Sequence, residues 1–148
     1  MNSAASPDYD DRYLAGIQFF NRRDFFEAHE VWEDLWHATA GPERRFIQAL
    51  IQAAVSLFHF GNGNVRGAAR LYHSSHDYMK PYFPTFLGLN VGAFWEQMAK
   101  CCAALLIKPE PPADARPEEP LIPTIELDPS PAAWPDPEQF LPEEDGDE

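Results

Sequence analysis

The segment from Phe25 to His37 constrains the fold more than any other part of the sequence, because it combines aromatic and acidic residues at helical spacing. On a helix that turns by about 100° per residue, one face collects an imidazole and three large aromatic side chains, all within about 40° of the first. These residues are Phe25, His29, Trp32 and Trp36. The segment therefore predicts an amphipathic α-helix whose aromatic face packs against a core.

A histidine and a glutamate lie four residues apart at the border of this face. His29 falls on the apolar side and Glu33 near its edge, whereas Glu27, Glu30 and Asp34 fall on the opposite side, which we expect to be solvated. An ionisable pair beside a core loses hydration energy unless a hydrogen bond, an opposite charge or a metal ion compensates it. We therefore single out His29 and Glu33 as the candidate functional pair.

Five helices are predicted from start and stop signals along the chain. Pro7 is a plausible first residue for helix 1, Asp24 with Glu27 forms a capping box for helix 2, and Asn64 and Asn90 are caps for helices 4 and 5. The predicted ranges are 7–21, 25–40, 42–60, 65–79 and 91–107. The predicted class is all-α, a compact bundle of about five helices with the third helix at its centre.

The C-terminal part differs sharply in composition. Residues 1–108 contain 11 acidic and 10 basic residues, a net charge of −1, whereas residues 109–148 contain 13 acidic residues and one basic residue, a net charge of −12. Eleven of the 15 prolines also lie in 109–148. We predict a helical bundle domain over 1–108 and an extended or partly disordered proline-rich acidic tail over 109–148.

Six large apolar residues are spaced through this tail, which a purely solvating segment does not require. We expect part of 120–141 to lie extended over the bundle with these side chains as anchors; the alternative is a linear motif that docks on a partner. The six residues are Leu121, Ile122, Ile125, Leu127, Trp134 and Phe140.

Several residues of the second to fourth predicted helices also resemble a known family. The pattern H-x-x-x-E-x-x-W, at His29, Glu33 and Trp36, is followed by Arg45, the run QALIQAA at 48–54, His59, Asn64 and the run GAARL at 67–71. From about Phe19 to Leu71 the chain resembles the bacterial and archaeal family called domain of unknown function 309. The resemblance implies a small helical protein with a suggested metal site at the histidine and the glutamate.

The spacing of His29 and Glu33 allows both side chains to bind one ion. The predicted cofactor is a divalent metal ion, unidentified, and a closed site needs further ligands from other helices. The candidates, in order, are His59, Gln52, and then His76 or Asp77. The alternative is that His29 and Glu33 form a structural hydrogen-bonded pair without a metal.

A row of polar residues borders the apolar face of the third predicted helix. Gln48, Gln52, Val55 and His59 follow one another at steps of four, three and four residues, and this largely polar row predicts a shared hydrogen-bond network or the wall of a pocket. The alternative is that the glutamines only edge the buried face. The predicted pocket residues around the pair are Gln48, Gln52, Trp36, Arg45 and Glu30.

Composition narrows the function classes. No basic patch is available for a phosphate backbone, so we expect no nucleic-acid binding. The longest apolar run, Phe46 to Phe60, has 15 residues and contains polar ones, so we expect no membrane span. The adjacent Cys101 and Cys102, and an N-terminus without a signal-peptide pattern, favour a cytoplasmic protein.

Two functions therefore stay open at the level of sequence. One is a metal-dependent hydrolase, in which the metal activates a bound water. The other is a non-catalytic helical module that binds an unknown small molecule or protein partner. The sequence does not predict the oligomeric state.

Overall fold

Five α-helices account for most of the regular structure in the computed structural model, which describes residues 8–142. They are α1 (Asp11–Asn21), α2 (Phe25–Ala38), α3 (Pro42–Gly61), α4 (Val65–Met79) and α5 (Val91–Cys101). A short hairpin of β1 (Thr85–Phe86) and β2 (Leu89–Asn90) lies between α4 and α5. The prediction of an all-α fold is confirmed.

Two of the three N-cap residues predicted from the sequence make the expected hydrogen bond. Asn64 accepts a hydrogen bond from the backbone N–H of Gly67 at 3.0 Å, and Asn90 accepts one from Ala93 at 2.9 Å, as predicted for helix N-termini. Asp24 makes no such bond, so the predicted capping box at α2 is wrong.

α1 begins at Asp11 and is capped by Asp10, whose side chain accepts from the backbone N–H of Arg12 at 2.8 Å. The predicted start at Pro7 lies outside the described residues, but residues 8–10 are not helical. α5 ends at Cys101, earlier than predicted, and a 3₁₀ turn over Ala103–Leu106 continues the chain.

The helices α1 to α4 pack in chain order, so α3 lies between α2 and α4. Buried hydroxyls join α3 to α4: Ser56 Oγ donates to the carbonyl of Ala68 at 2.7 Å, and Ser75 Oγ donates to the carbonyl of Ala49 at 2.6 Å. Small residues at this contact let the two backbones approach. The central position predicted for the third helix agrees with this packing.

Aromatic side chains fill the core. The rings of Phe20 and Trp32 lie 6.0 Å apart, and Phe20 and Phe94 are also 6.0 Å apart, so α1, α2 and α5 meet in one cluster. All three side chains are buried. Each buried ring contributes on the order of 1.5–3 kcal/mol through removal of apolar surface from water.

Residues 109–142 lie along the outside of the helices. Asn21 donates from Nδ2 to the carbonyl of Ile125 at 2.9 Å, and its Oδ1 accepts from the N–H of Ile125 at 2.8 Å. Ile125 and Leu127 are buried, Ile122 and Phe140 are half-buried, and Leu121 and Trp134 are 38 % and 42 % exposed. We call residues 120–128 the strap. The division into domains at residue 108 stays a prediction.

Among residues 8–142, no helix combines the length and the apolar character that crossing a membrane requires.

Candidate functional site

His29 and Glu33 lie side by side on α2, as their spacing predicts. Nε2 of His29 is 3.3 Å from Oε2 of Glu33. The imidazole is largely covered, with 20 % of its side chain exposed, whereas the carboxylate is 52 % exposed. Glu33 therefore sits further into solvent than the helical angle alone suggests, and the pair is open on one side.

The other ring nitrogen of His29 is held by the backbone. Nδ1 lies 3.2 Å from the carbonyl oxygen of Phe26, and since a carbonyl only accepts, Nδ1 carries the proton. In the neutral ring Nε2 then bears a lone pair, and it faces the oxygen of an acceptor-only carboxylate. Two acceptors at this distance call for a positive species, either a second proton on the ring or a metal ion.

His59, the first candidate for a further ligand, belongs to a different contact. Its Nδ1 lies 3.4 Å from Nδ2 of Asn64, the cap of α4. The neighbouring Phe58 instead packs against Phe26 of α2, with ring centroids 5.6 Å apart. The side of α3 that faces α2 is therefore apolar beside His29, and His59 instead contacts the turn between α3 and α4.

The other candidate ligands are also separate from the pair. His76 packs against Trp95 of α5, with ring centroids 4.8 Å apart, and Asp77 pairs with Lys80 at 3.1 Å. Within residues 8–142, no three His, Cys, Asp or Glu side chains are grouped so that they could hold a metal ion. The structure thus brings together two of the predicted ligands, His29 and Glu33, and does not bring His59 to them.

The predicted polar row on α3 does not form one network. His59 contacts Asn64, while Oε1 of Gln52 is buried and has no hydrogen-bond partner among the described residues. Gln48 lines a concavity at the corner between α2 and α3. No side chain of the polar row therefore donates to the Gln52 amide oxygen.

Three predicted pocket residues do meet at this corner. Trp36, Arg45 and Gln48 line the concavity together with Gly41 and Arg44. Arg44 lies over the Trp36 ring with Cζ 3.8 Å from its centroid, and Arg45 lies over Tyr78 of α4 at 4.7 Å. We call these lining residues the arginine corner.

Glu30, the remaining predicted pocket residue, belongs to another surface. It lines a shallow depression with Glu33, Asp34 and His37 on one side and residues 139–142 on the other. The end of the described chain therefore approaches the outer edge of α2. Glu30 makes no hydrogen bond to either member of the candidate pair within the described residues.

Arg44 is the site residue that the sequence did not single out. Its position over Trp36 depends on the short turn at Gly41 and Pro42, which folds the start of α3 back over the end of α2. A helical angle describes one helix at a time and gives no contact across a turn. The sequence feature that could have indicated this contact is the pair of arginines, Arg44 and Arg45, shortly after that turn.

Cys101 and Cys102 are free thiols, both buried at the end of α5. The hydrogen bond between the two side chains lowers the pKa of Cys101 and, together with burial, raises the pKa of Cys102. They form no disulfide in the described part of the chain.

Comparison with known proteins agrees with the family resemblance stated from the sequence. Residues 13–71 match the family described as Domain of unknown function (DUF309). This segment runs from α1 into α4 and includes His29, Glu33 and the arginine corner. The resemblance predicted from the sequence is therefore confirmed over that segment.

Two relatives have sequence similarity to parts of the chain. It is similar to the uncharacterized protein YpuF of Bacillus subtilis, with 38% identity over 60 residues, which are 40% of this chain and 34% of the relative. It is also similar to an uncharacterized protein of Aquifex aeolicus, with 31% identity over 74 residues, 49% of this chain and 22% of the relative. The chain thus spans about a third or less of each relative's length.

Proposed function

We propose that this protein is a non-catalytic helical binding module in which His29 and Glu33 form a structural pair that shares a proton. The observation that carries the proposal is that both ring nitrogens of His29 already have partners within α2. Nδ1 is held at 3.2 Å by the carbonyl of Phe26, and Nε2 is 3.3 Å from Glu33. With a proton between Nε2 and Glu33, both ring nitrogens of His29 are satisfied and no ligand is needed.

The surroundings of the pair support this role. The ring of His29 packs against Phe26 at 5.3 Å, and Phe26 packs against Phe58 of α3 at 5.6 Å. Phe26 thereby links the first turn of α2 to the last turns of α3, and the imidazole packs against Phe26 within α2. Its hydrogen bonds fix the ring in the orientation that this aromatic contact needs.

A divalent metal site is the second candidate, and one observation favours it. Two ligand atoms that each lie about 2.0–2.1 Å from a tetrahedral zinc ion are about 3.3 to 3.4 Å apart. The separation of Nε2 and Oε2 is 3.3 Å, and the Nδ1 contact to a carbonyl is typical of histidines that bind metals. His29 and Glu33 would hold the metal, and His59 would need to move away from Asn64 to join them.

A metal-dependent hydrolase would require more than these two ligands. A catalytic zinc has three protein ligands and an open position for the water that it activates. Two ligands from one helix leave an open site of low affinity. The metal hypothesis therefore depends on a third ligand, whereas the structural pair needs only a proton.

Metal content distinguishes the two candidates. Protein purified without an affinity tag would be analysed by plasma mass spectrometry, and its thermal unfolding would be compared with and without a chelator. The structural pair predicts less than a tenth of a metal ion per chain and the same midpoint in both conditions. About one metal per chain, lost in both His29→Ala and Glu33→Gln, would instead establish the metal site.

The stability of variants tests the structural role itself. His29→Ala removes the ring and both hydrogen bonds, so the free energy of unfolding should fall by about 1–3 kcal/mol. Glu33→Gln keeps an acceptor oxygen on an exposed side chain and should cost less than about 1 kcal/mol. Glu30→Gln is the matched control, since it removes a nearby charge but no contact of His29. Equal, negligible effects in all three variants would contradict the proposal.

A further inference from the structure

The arginine corner carries two cationic side chains and no acidic one. It is lined by Trp36, Gly41, Arg44, Arg45 and Gln48. The nearest acidic residue in sequence, Glu43, instead lines a separate depression that contains Asp8 and Asp10. The local charge at the corner is therefore positive on a chain whose net charge is −13.

Aromatic rings hold both guanidinium groups. Cζ of Arg44 is 3.8 Å from the centroid of the Trp36 ring, and Cζ of Arg45 is 4.7 Å from the centroid of the Tyr78 ring. Contact through an aromatic face restrains a guanidinium but uses none of its five in-plane N–H donors. The aromatic contacts therefore position the two side chains and leave their N–H donors available for a ligand.

The donors of the corner lack partners within residues 8–142. Arg12, Arg22, Arg23 and Arg66 form ion pairs with carboxylates, whereas the side chains of Arg44 and Arg45 form neither an ion pair nor a hydrogen bond there. Nε1 of Trp36 is buried and also has no hydrogen-bond partner in this part of the chain. A buried N–H without an acceptor is unfavourable, and an acceptor oxygen of a bound ligand would relieve it.

We propose that the arginine corner binds an oxyanion, a carboxylate or phosphate group carried by a small molecule. Arg44 and Arg45 supply paired N–H donors that match the two oxygens of such a group, and the amide of Gln48 supplies a further donor. The inference rests on the binding role proposed above, but it uses residues other than His29 and Glu33. The two proposals therefore fail in different experiments, one in metal content and stability and the other in anion titration.

Indole N–H resonances offer a local test. The chain has four tryptophans, and in ¹⁵N-labelled protein the Trp36 signal would be assigned from its loss in Trp36→Phe. Sodium phosphate and sodium acetate would be titrated separately, with sodium chloride at equal ionic strength as the reference. We expect a saturable shift of the Trp36 resonance and no comparable shift of Trp32 or Trp95, which are buried in the core.

Paired variants show whether the shift belongs to the corner. Arg44→Gln with Arg45→Gln should abolish saturation, and Arg44→Lys with Arg45→Lys should weaken binding at least several-fold, because lysine keeps the charge but loses the two-pronged donor. Arg66→Gln with Arg70→Gln removes the same charge from exposed positions on α4 and should leave binding unchanged.

Each outcome decides the proposal. Saturation with phosphate alone assigns the site to phosphate groups, saturation with acetate alone assigns it to carboxylates, and saturation with both assigns it to oxyanions in general. The proposal is overturned if neither anion differs from chloride, if all four indoles shift together, or if the Arg44 and Arg45 double variant with glutamine binds as the wild type does.

Discussion

Gly16 occupies the point where α1 passes closest to the indole of Trp32. The indole is buried, and its Nε1–H donates to the carbonyl of Tyr13 at 3.2 Å. A Cβ atom placed on Gly16 would overlap the indole ring itself. At this position the absence of a side chain is a packing requirement, since the backbone is an ordinary helical one.

Gly16→Ala should therefore be strongly destabilising, although alanine has the better helix propensity. We expect a loss of about 2–4 kcal/mol in the free energy of unfolding, because the indole must move and its buried hydrogen bond must break. Chemical denaturation measures the loss. Gly61→Ala is the control, since no atom outside its own helical turn lies within 4 Å of the added carbon. If both variants unfold at the same denaturant concentration, the packing argument fails.

His76 should make stability depend on pH. Its burial, followed by the charge of Lys80 and a smaller effect of His73, lowers its pKa below the ordinary value, while Asp77 acts in the opposite direction. The folded protein thus binds this proton more weakly than the unfolded chain does. Its contribution to stability is complete above a pH of about 6.5 and is lost as the pH falls from there through the lower pKa of the folded state.

Unfolding free energies measured between about pH 5 and pH 8 test this expectation. His76→Gln should flatten the dependence of the unfolding free energy on pH below a pH of about 6.5, because glutamine takes up no proton when the chain unfolds. Lys80→Gln should give an intermediate slope, because it removes one cause of the lowered pKa. If His76→Gln left the slope of unfolding free energy against pH unchanged, another group would be responsible for the loss of stability at low pH.

The candidate site shows which contacts of a residue can be predicted from the sequence. The closeness of His29 and Glu33 follows from their i, i+4 spacing, because that geometry is internal to one helix. The position of His59 does not follow in the same way, since α3 has neighbours on two sides and the sequence does not state which side chain faces which helix. His59 contacts Asn64, in the turn that leads into α4.

At the level of elements, the hairpin between α4 and α5 shows a similar limit. Its two-residue turn, Leu87–Gly88, has φ values of 47° and 79°, and the flanking residues pair as Phe86 with Leu89. Such turns favour asparagine or glycine at both positions. A leucine at positive φ is unfavourable on local grounds, so the residue at the first turn position hid a hairpin that Gly88 alone does not predict. The contact of the Tyr13 hydroxyl with the carbonyl of Leu87 at 2.9 Å supports the conformation.

One side chain at the end of α1 contributes two hydrogen bonds to the strap. Asn21 forms two hydrogen bonds to Ile125, one as donor and one as acceptor, in the manner of a neighbouring strand. Asn21→Ala should remove both and leave two half-buried backbone groups of Ile125 without partners, at a cost of about 1–3 kcal/mol. Hydrogen exchange should then become faster in residues 120–128 and stay unchanged in α3.

Asn62→Ala provides the matched control for this variant, because Asn62 is exposed and its side chain makes no contact with the strap. Equal protection of residues 120–128 in both variants would mean that the buried Ile125 and Leu127 hold the strap without help from Asn21.

On the scale of the whole molecule, the strap joins two parts of very different charge. Residues 109–148 have a net charge of −12, and residues 1–108 have a net charge of −1. General attraction between the two parts is therefore absent, and the acidic residues repel one another. What holds the strap is local: buried apolar side chains, backbone hydrogen bonds, and the contacts of Arg23 with Glu119 at 3.0 Å and with the carbonyls of Ile122 and Pro123.

Because the acidic residues repel one another and the strap is held by local contacts, we expect salt to stabilise the folded chain. Raising sodium chloride from about 20 mM to about 500 mM shortens the Debye length from roughly 20 Å to roughly 4 Å and screens the repulsion among the acidic residues. The ion pairs of Arg23 and Arg66 are exposed on their acidic side, so their loss costs little. The midpoint of thermal unfolding should rise, and Glu119→Gln should show the same rise. A fall in the midpoint would mean that the exposed ion pairs outweigh the repulsion.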